Sequence, residues 1–125
     1  MTLGEMKDIL GAEVVVGSDC MDIEIRDAFA ADLLSDVLAF AKEGTLLITG
    51  ITNPQVVRTA EMLELVGIVC VRGKKPDAEA MKLAQIKKVP ILSTRYIMFE
   101  TCGRLFKNGL GGCVERVDDA GSRTG

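Results

Sequence analysis

Apolar positions along this chain switch between helical spacing and short continuous runs, and the switches predict most of its elements. Leu3, Met6, Ile9 and Leu10 fall on one helical face behind Thr2, and Glu5 stands where a capping box needs it. A short helix is therefore predicted over residues 3–10, with Gly11 closing it. Residues 12–16 and 22–26 read as strands. The second alternates Ile23 and Ile25 with polar residues, as a strand with one wet face would, and Gly17-Ser18-Asp19 between them reads as a turn. Leu34, Val37, Leu38 and Ala41 form the stripe of a helix over 33–42, with Asp32 as its N-cap and Gly44 as its C-cap. Thr45 to Thr49 is nearly continuous in apolar character, which predicts a strand covered on both faces.

The same alternation continues downstream. Asn53-Pro54 opens a helix with proline at its first position; Val56, Val57, Ala60, Met62, Leu63 and Leu65 supply its buried surface, and Gly67 ends it. Ile68 to Val71 is a second apolar strand. A Gly73-Lys74-Lys75-Pro76-Asp77 loop then leads into a helix over 77–85, with Ala80, Met81 and Ala84 turned inward. Val89 to Leu92 is a third buried strand, and Ser93 or Thr94 caps a last helix that runs to about Phe106 and stops at Gly109. From Thr45 onward, strand and helix alternate with crossovers short enough for right-handed βαβ units. The predicted fold class is α/β, a single small domain over residues 1–110 with a mainly parallel central sheet and flanking helices. Residues 111–125, glycine-rich and without periodicity, are expected to be a flexible tail.

Composition narrows what such a domain can do. Hydrophobic residues make up 48% of 125 residues, enough to build a core of aliphatic side chains. Aromatic residues are few (Phe29, Phe40, Tyr96, Phe99, Phe106), which argues against a base-stacking platform. The net charge of −3 gives no bulk attraction to nucleic acid. No apolar stretch is long enough to span a membrane, and Glu5 and Asp8 interrupt any signal-peptide pattern at the start; a cytoplasmic location is the resulting expectation.

Chemistry is constrained as well. The chain has no histidine, and Cys20, Cys70, Cys102 and Cys113 form no metal-binding spacing, so no metal and no cofactor are expected. Cys70 and Cys102 fall in apolar patterns and read as core, while Cys113 reads as an exposed thiol in the tail. The phosphate-loop pattern, the nucleophile-elbow pattern and the dinucleotide glycine fingerprint are all missing, and the acidic pair Asp118-Asp119 lies in the tail. No catalytic residue is assigned, and a non-enzymatic role follows.

Binding chemistry is better represented. In open α/β sheets, ligands sit beyond the carboxyl ends of the parallel strands. Three segments are expected to converge there: Thr49, Gly50, Thr52 and Asn53; then Arg72, Gly73, Lys74 and Lys75; then Ser93, Thr94 and Arg95. Their hydroxyls, amide, cations and helix-start N–H groups suit a phosphate or carboxylate. The same residue types also serve as ordinary helix caps and loop residues. Asp32, Ser35 and Asp36 form a second group that fits a ligand or partner contact, or equally an N-cap and a dipole-favoured first turn.

Residues 1–110 resemble the DRTGG domain family. The resemblance is carried by Gly11-Ala12-Glu13-Val14-Val15-Val16-Gly17, by Ala30 through Ala39, by Leu46-Leu47-Ile48-Thr49-Gly50, by Gly73-Lys74-Lys75-Pro76 and by Val89 through Thr94. It is greatest to stand-alone members, often encoded beside iron-only hydrogenase genes. Relatives occur fused to CBS domains in regulated pyrophosphatases and within some phosphotransacetylases. The chain departs from the family where Gly50-Ile51-Thr52-Asn53 stands in place of a Gly-Asp-Arg type of turn and Val71-Arg72-Gly73 in place of a Thr-Gly-Gly type. The Ser122-Arg123-Thr124-Gly125 ending echoes the family's name only in the tail.

The resemblance implies an α/β regulatory module that pairs as a homodimer, senses a small anionic metabolite or adenine nucleotide, and regulates a partner enzyme. The alternative is a protein-interaction adaptor for a redox assembly of the hydrogenase type, with no small ligand.

Overall fold

The computed structural model describes residues 1–120. Its first element, α1 (Leu3–Leu10), starts as its sequence requires: the Thr2 hydroxyl accepts from the Glu5 N–H and the Glu5 carboxylate accepts from the Thr2 N–H. Gly11 follows in the left-handed region, where an L side chain would be strained. The elements that follow are β1 (Glu13–Val16), β2 (Asp27–Ala30), α2 (Leu34–Phe40), β3 (Thr45–Thr49), α3 (Pro54–Met62), β4 (Gly67–Cys70), α4 (Ala78–Lys87), β5 (Ile91–Ser93), α5 (Met98–Lys107) and a short α6 (Val117–Ala120).

The five strands form one sheet in the order β1-β5-β4-β3-β2. Strands β2 to β5 pair in parallel, and β1 joins β5 antiparallel, with Glu13 opposite Ser93. Alternation along each strand divides the core into two layers. Leu47, Ile68, Cys70 and Ile91 face α2, α3 and α4 together with Val37, Val56, Val57, Ala60, Ala80 and Ala84. Leu46, Ile48, Val69 and Leu92 face α1 and α5 with Leu3, Met6, Leu10 and Leu105. The expected mainly parallel α/β domain is what the chain forms.

Four local expectations are corrected. Residues 22–26 are not a sheet strand. They run alongside the chain's first residues through Leu3 N–H to Ile23 C=O (2.9 Å) and Ile25 N–H to Met1 C=O (2.8 Å), and the sheet takes Asp27–Ala30 instead. The alternation of Ile23 and Ile25 reflects that contact, which buries Ile25 and leaves Ile23 exposed. Second, Asp32 does not cap α2: Leu33 occupies the N-cap without a side-chain bond, and the helix stops at Phe40, ahead of Gly44. Third, α5 begins at Met98 with Ile97 at its N-cap, not at Ser93 or Thr94. Fourth, Met62 is exposed at the end of α3, and Gly67 lies inside β4, where Pro90 C=O would stand 3.3 Å from an added Cβ.

Beyond Leu110 the chain continues along the free edge of β2. Ala28 N–H donates to Gly111 C=O, Cys113 N–H donates to Ala28 C=O (both 2.9 Å), and the Cys113 thiol lies half-buried against Phe40 C=O at 3.5 Å, so it is not the exposed thiol expected. Asp118 and Asp119 fall within α6. The Ser122-Arg123-Thr124-Gly125 ending lies outside the described residues.

All four cysteines are free thiols. Burial pushes the Cys70 thiol up to about 11 against a smaller opposing pull from the Lys74 charge. Because the thiolate is the reactive form, iodoacetamide at pH 8 is expected to leave Cys70 unmodified in the native protein and to modify it after unfolding. Peptide mass spectrometry of the two samples checks this, and native labelling of Cys70 would contradict its burial.

Candidate functional site

Because β2 to β5 are parallel, the loops leaving their carboxyl ends share one edge of the sheet. Asp32 ties two of them together. Its Oδ1 accepts from the Gly50 N–H at 2.7 Å and from the Thr49 hydroxyl at 3.3 Å, so the carboxylate expected to cap α2 holds the exit of β3 instead. Two donors, a backbone N–H and a hydroxyl, meet one carboxylate oxygen there. Gly50 leaves room for the end of the Arg72 side chain. A Cβ at this position would stand 2.7 Å from Nη2 of Arg72 and 3.3 Å from Oδ1 of Asp32, so the guanidinium rests over the glycine beside the carboxylate.

Arg72 itself sits at φ 60°, followed by Gly73 at 69°. A left-handed non-glycine residue costs about 1–2 kcal/mol. The turn is held by Arg72 N–H to Tyr96 C=O and Gly73 N–H to Thr94 C=O, both 2.8 Å. Tyr96 is in turn covered by Arg104, whose Cζ lies 4.1 Å from the ring centre.

The other expected residues fall into two sets. The neutral ones are engaged within the fold. Thr52 C=O accepts from the Asp77 N–H at 2.9 Å, and the Asn53 side chain caps α3 through the Val56 N–H at 3.2 Å. The Ser93 hydroxyl donates to Lys74 C=O at 2.6 Å, and the Thr94 hydroxyl donates to Leu10 C=O at 2.9 Å. Both hydroxyls are buried, which is why neither caps α5. Of the cations, Lys75 pairs with Glu13 at 2.8 Å. Arg72, Lys74 and Arg95 are exposed and make no side-chain ion pair among the described residues.

Gly73, Lys75, Ser93 and Arg95 line a cleft of about 280 Å³ with Gly11 and Glu13. Those last two were not among the expected site residues. They arrive because β1 lies antiparallel beside β5, a pairing that no local pattern announces. Asp36 lies elsewhere, in a separate hollow of about 250 Å³ between Phe29, Phe40 and the segment 114–117. Ser35 is exposed on the first turn of α2 and is not part of the cleft. Among the described residues no group of His, Cys, Asp and Glu is placed to hold a metal ion, and no helix is long and apolar enough to cross a membrane.

Comparison with known proteins adds the family. No curated protein matches the chain significantly. Among solved structures, the fold is similar to the CBS and DRTGG domains of the regulatory region of Clostridium perfringens pyrophosphatase, complexed with its activator, diadenosine tetraphosphate. The TM-score is 0.70 at 18% identity, over 83% of this chain and 45% of that one. The chain therefore spans less than half of that regulatory region, and the likeness is one of fold. The model of the DRTGG domain matches residues 5–107, from the first turn of α1 to the end of α5. With that pattern running through every strand of the sheet, this chain belongs to the DRTGG domain family.

Proposed function

We propose that the domain is a non-enzymatic regulatory module that binds a small anionic ligand at the carboxyl edge of its parallel sheet and works as a cytoplasmic homodimer. The observation carrying this reading is the set of exposed cations Arg72, Lys74 and Arg95 at that edge, which make no side-chain ion pair among the described residues, one of them held in left-handed backbone over Gly50. Strained, non-glycine backbone concentrates at functional sites, and guanidinium groups suit phosphate and carboxylate recognition. The similar pyrophosphatase regulatory region is complexed with diadenosine tetraphosphate, which makes adenine nucleotides the first ligand class to test. Binding to this chain would then bias a partner enzyme through the loops that the ligand bridges.

Thermal unfolding against adenine and guanine nucleotides and phosphorylated metabolites tests the reading. A ligand at about 100 times its Kd should stabilise the fold by roughly 2.7 kcal/mol and raise Tm by several degrees. Arg72→Ala and Arg95→Ala are each expected to remove most of that rise while leaving the unliganded Tm within about 2 °C, since surface changes rarely exceed 0.5 kcal/mol. Absence of any shift across the panel would overturn ligand sensing and leave the domain as a protein-interaction adaptor.

A further inference from the structure

At the far edge of the sheet, β2 carries an unfinished ladder. It is the last strand in the order, so β3 pairs with one side of it only. Ala31 N–H donates to Ile48 C=O at 3.1 Å, which turns the backbone groups of Phe29 and Ala31 toward β3 and those of Ala28 and Ala30 outward. Ala28 uses both of its groups on the passing chain, through Gly111 C=O and Cys113 N–H, with Gly112 opposite it in a parallel bridge. Residues 111–113 thus lie on β2 as one rung of an added strand, in a segment beyond the DRTGG match. The chain then turns away, and the N–H and C=O of Ala30 bond to nothing among the described residues.

Recesses lie on both faces of the sheet where that ladder stops. On the α5 face an apolar groove of about 380 Å³ is floored by Ala28, Ala30 and Ile48 and flanked by Phe99 and Phe106, which are 84% and 74% exposed. On the α2 face, the hollow of about 250 Å³ beside Phe29 and Phe40 is also lined by Ala30. Side chains of a strand alternate between faces. Cys113 turns to the α2 face against Phe40, so the position before it, opposite Ala28, belongs to the groove. That position is Gly112, which has no side chain to place there. The turn explains the glycine, because a Cβ on it would stand 3.1 Å from Val114 C=O. Residues 111–113 therefore cover part of the backbone edge and leave the groove unfilled.

From this we infer that the β2 edge is a docking site for an extended segment of a partner protein, which pairs in parallel with β2 in place of residues 111–113 and sets aliphatic side chains at alternate positions into the groove. Such a segment meets an N–H and a C=O at each of Ala28 and Ala30, four bonds where residues 111–113 make two. It runs straight past Ala30, so it has no turn to forbid a side chain opposite Ala28. The main-chain bonds give affinity, and the groove gives the preference for aliphatic residues. The chain's own segment 111–113 is then the competitor that keeps an open edge strand from pairing indiscriminately. This edge lies across the sheet from the cleft beside β1 and β5, and the inference does not rest on anion binding there.

Fluorescence anisotropy of a labelled peptide, Lys-Val-Thr-Val-Thr-Val-Lys, titrated with the full chain tests this, with Lys-Gly-Thr-Gly-Thr-Gly-Lys as its control. The valine peptide is expected to bind at least about tenfold more tightly than the glycine peptide, because only it fills the groove. Cys113→Pro removes the N–H that holds residues 111–113 to Ala28 C=O, and is expected to tighten the valine peptide by about three- to tenfold by weakening the competitor. Ala30→Pro removes an outward donor that the fold does not use and is expected to weaken the peptide by about the same factor. The two variants act in opposite directions, and Cys113 lies outside the sheet, so the test stands even if Ala30→Pro fails to fold. A valine peptide that does not bind the Cys113→Pro chain, or that binds no better than the glycine peptide, would overturn the site. Sedimentation of the full chain with and without the peptide checks the other occupant: a dimer that the peptide dissociates would make this edge a contact between copies and overturn the partner strand.

Discussion

Leu47→Ala is expected to lower stability by about 3 kcal/mol and Tm by about 10 °C. Leu47 lies in β3, an interior strand paired on both sides by β2 and β4, and it is completely buried. Its side chain enters the layer where Val37 of α2 and Val56, Val57 and Ala60 of α3 meet the sheet. Truncation removes three carbons, a methine and two methyls, from a site whose walls are backbone-anchored on two strands, so the cavity cannot collapse fully and the cavity cost adds to the lost transfer energy. Urea unfolding checks it. The midpoint should fall with an unchanged slope, because the surface exposed on unfolding is nearly the same. A loss below about 1 kcal/mol would mean that α2 and α3 do not close over the strand.

That prediction rests on a part of the fold that is legible in the sequence. Local signals sufficed wherever the residues that decide an element lie within a few positions of one another. The Thr2–Glu5 box and the Asn53-Pro54 start are short-range chemistry, and α1 and α3 begin where those signals put them. The continuous apolar run at Thr45–Thr49 is β3 residue for residue. What was not legible depends on partners far along the chain. The segment around Ile23 and Ile25 alternates correctly for a strand but bonds to residues 1–3, and only the position of β3 selects Asp27–Ala30 for the sheet.

Asp32 shows the same limit at the candidate site. Its spacing before Leu34 fits an N-cap, yet the Gly50 N–H, 18 residues on, holds its carboxylate. Loop residues at the strand ends could be named from the βαβ order alone, as Arg72, Lys74 and Arg95 were. Whether a hydroxyl there faces a ligand or a distant carbonyl could not, and neither could the arrival of Gly11 and Glu13 beside Arg95.

Thr94→Val separates those two roles. The hydroxyl is 1% exposed and donates to the carbonyl of Leu10, 84 residues away, and it accepts weakly from the Tyr96 N–H at 3.4 Å. Valine keeps the shape and removes the donor, leaving the last carbonyl of α1 buried without its partner. Such an orphaned acceptor costs about 1–3 kcal/mol, so Tm is expected to fall by roughly 4–10 °C. The loss should be local as well as global: amide exchange in the last turn of α1 and at Gly11 should quicken more than exchange in β3, because the bond pins the end of that helix to the exit of β5. Any ligand-induced rise in Tm should persist in Thr94→Val, since the cations and their loops are untouched. If the variant instead kept its unliganded stability and lost the ligand response, Thr94 would belong to the binding edge, and the hydroxyl of this residue, not only the guanidinium groups around it, would be part of what recognises the anion.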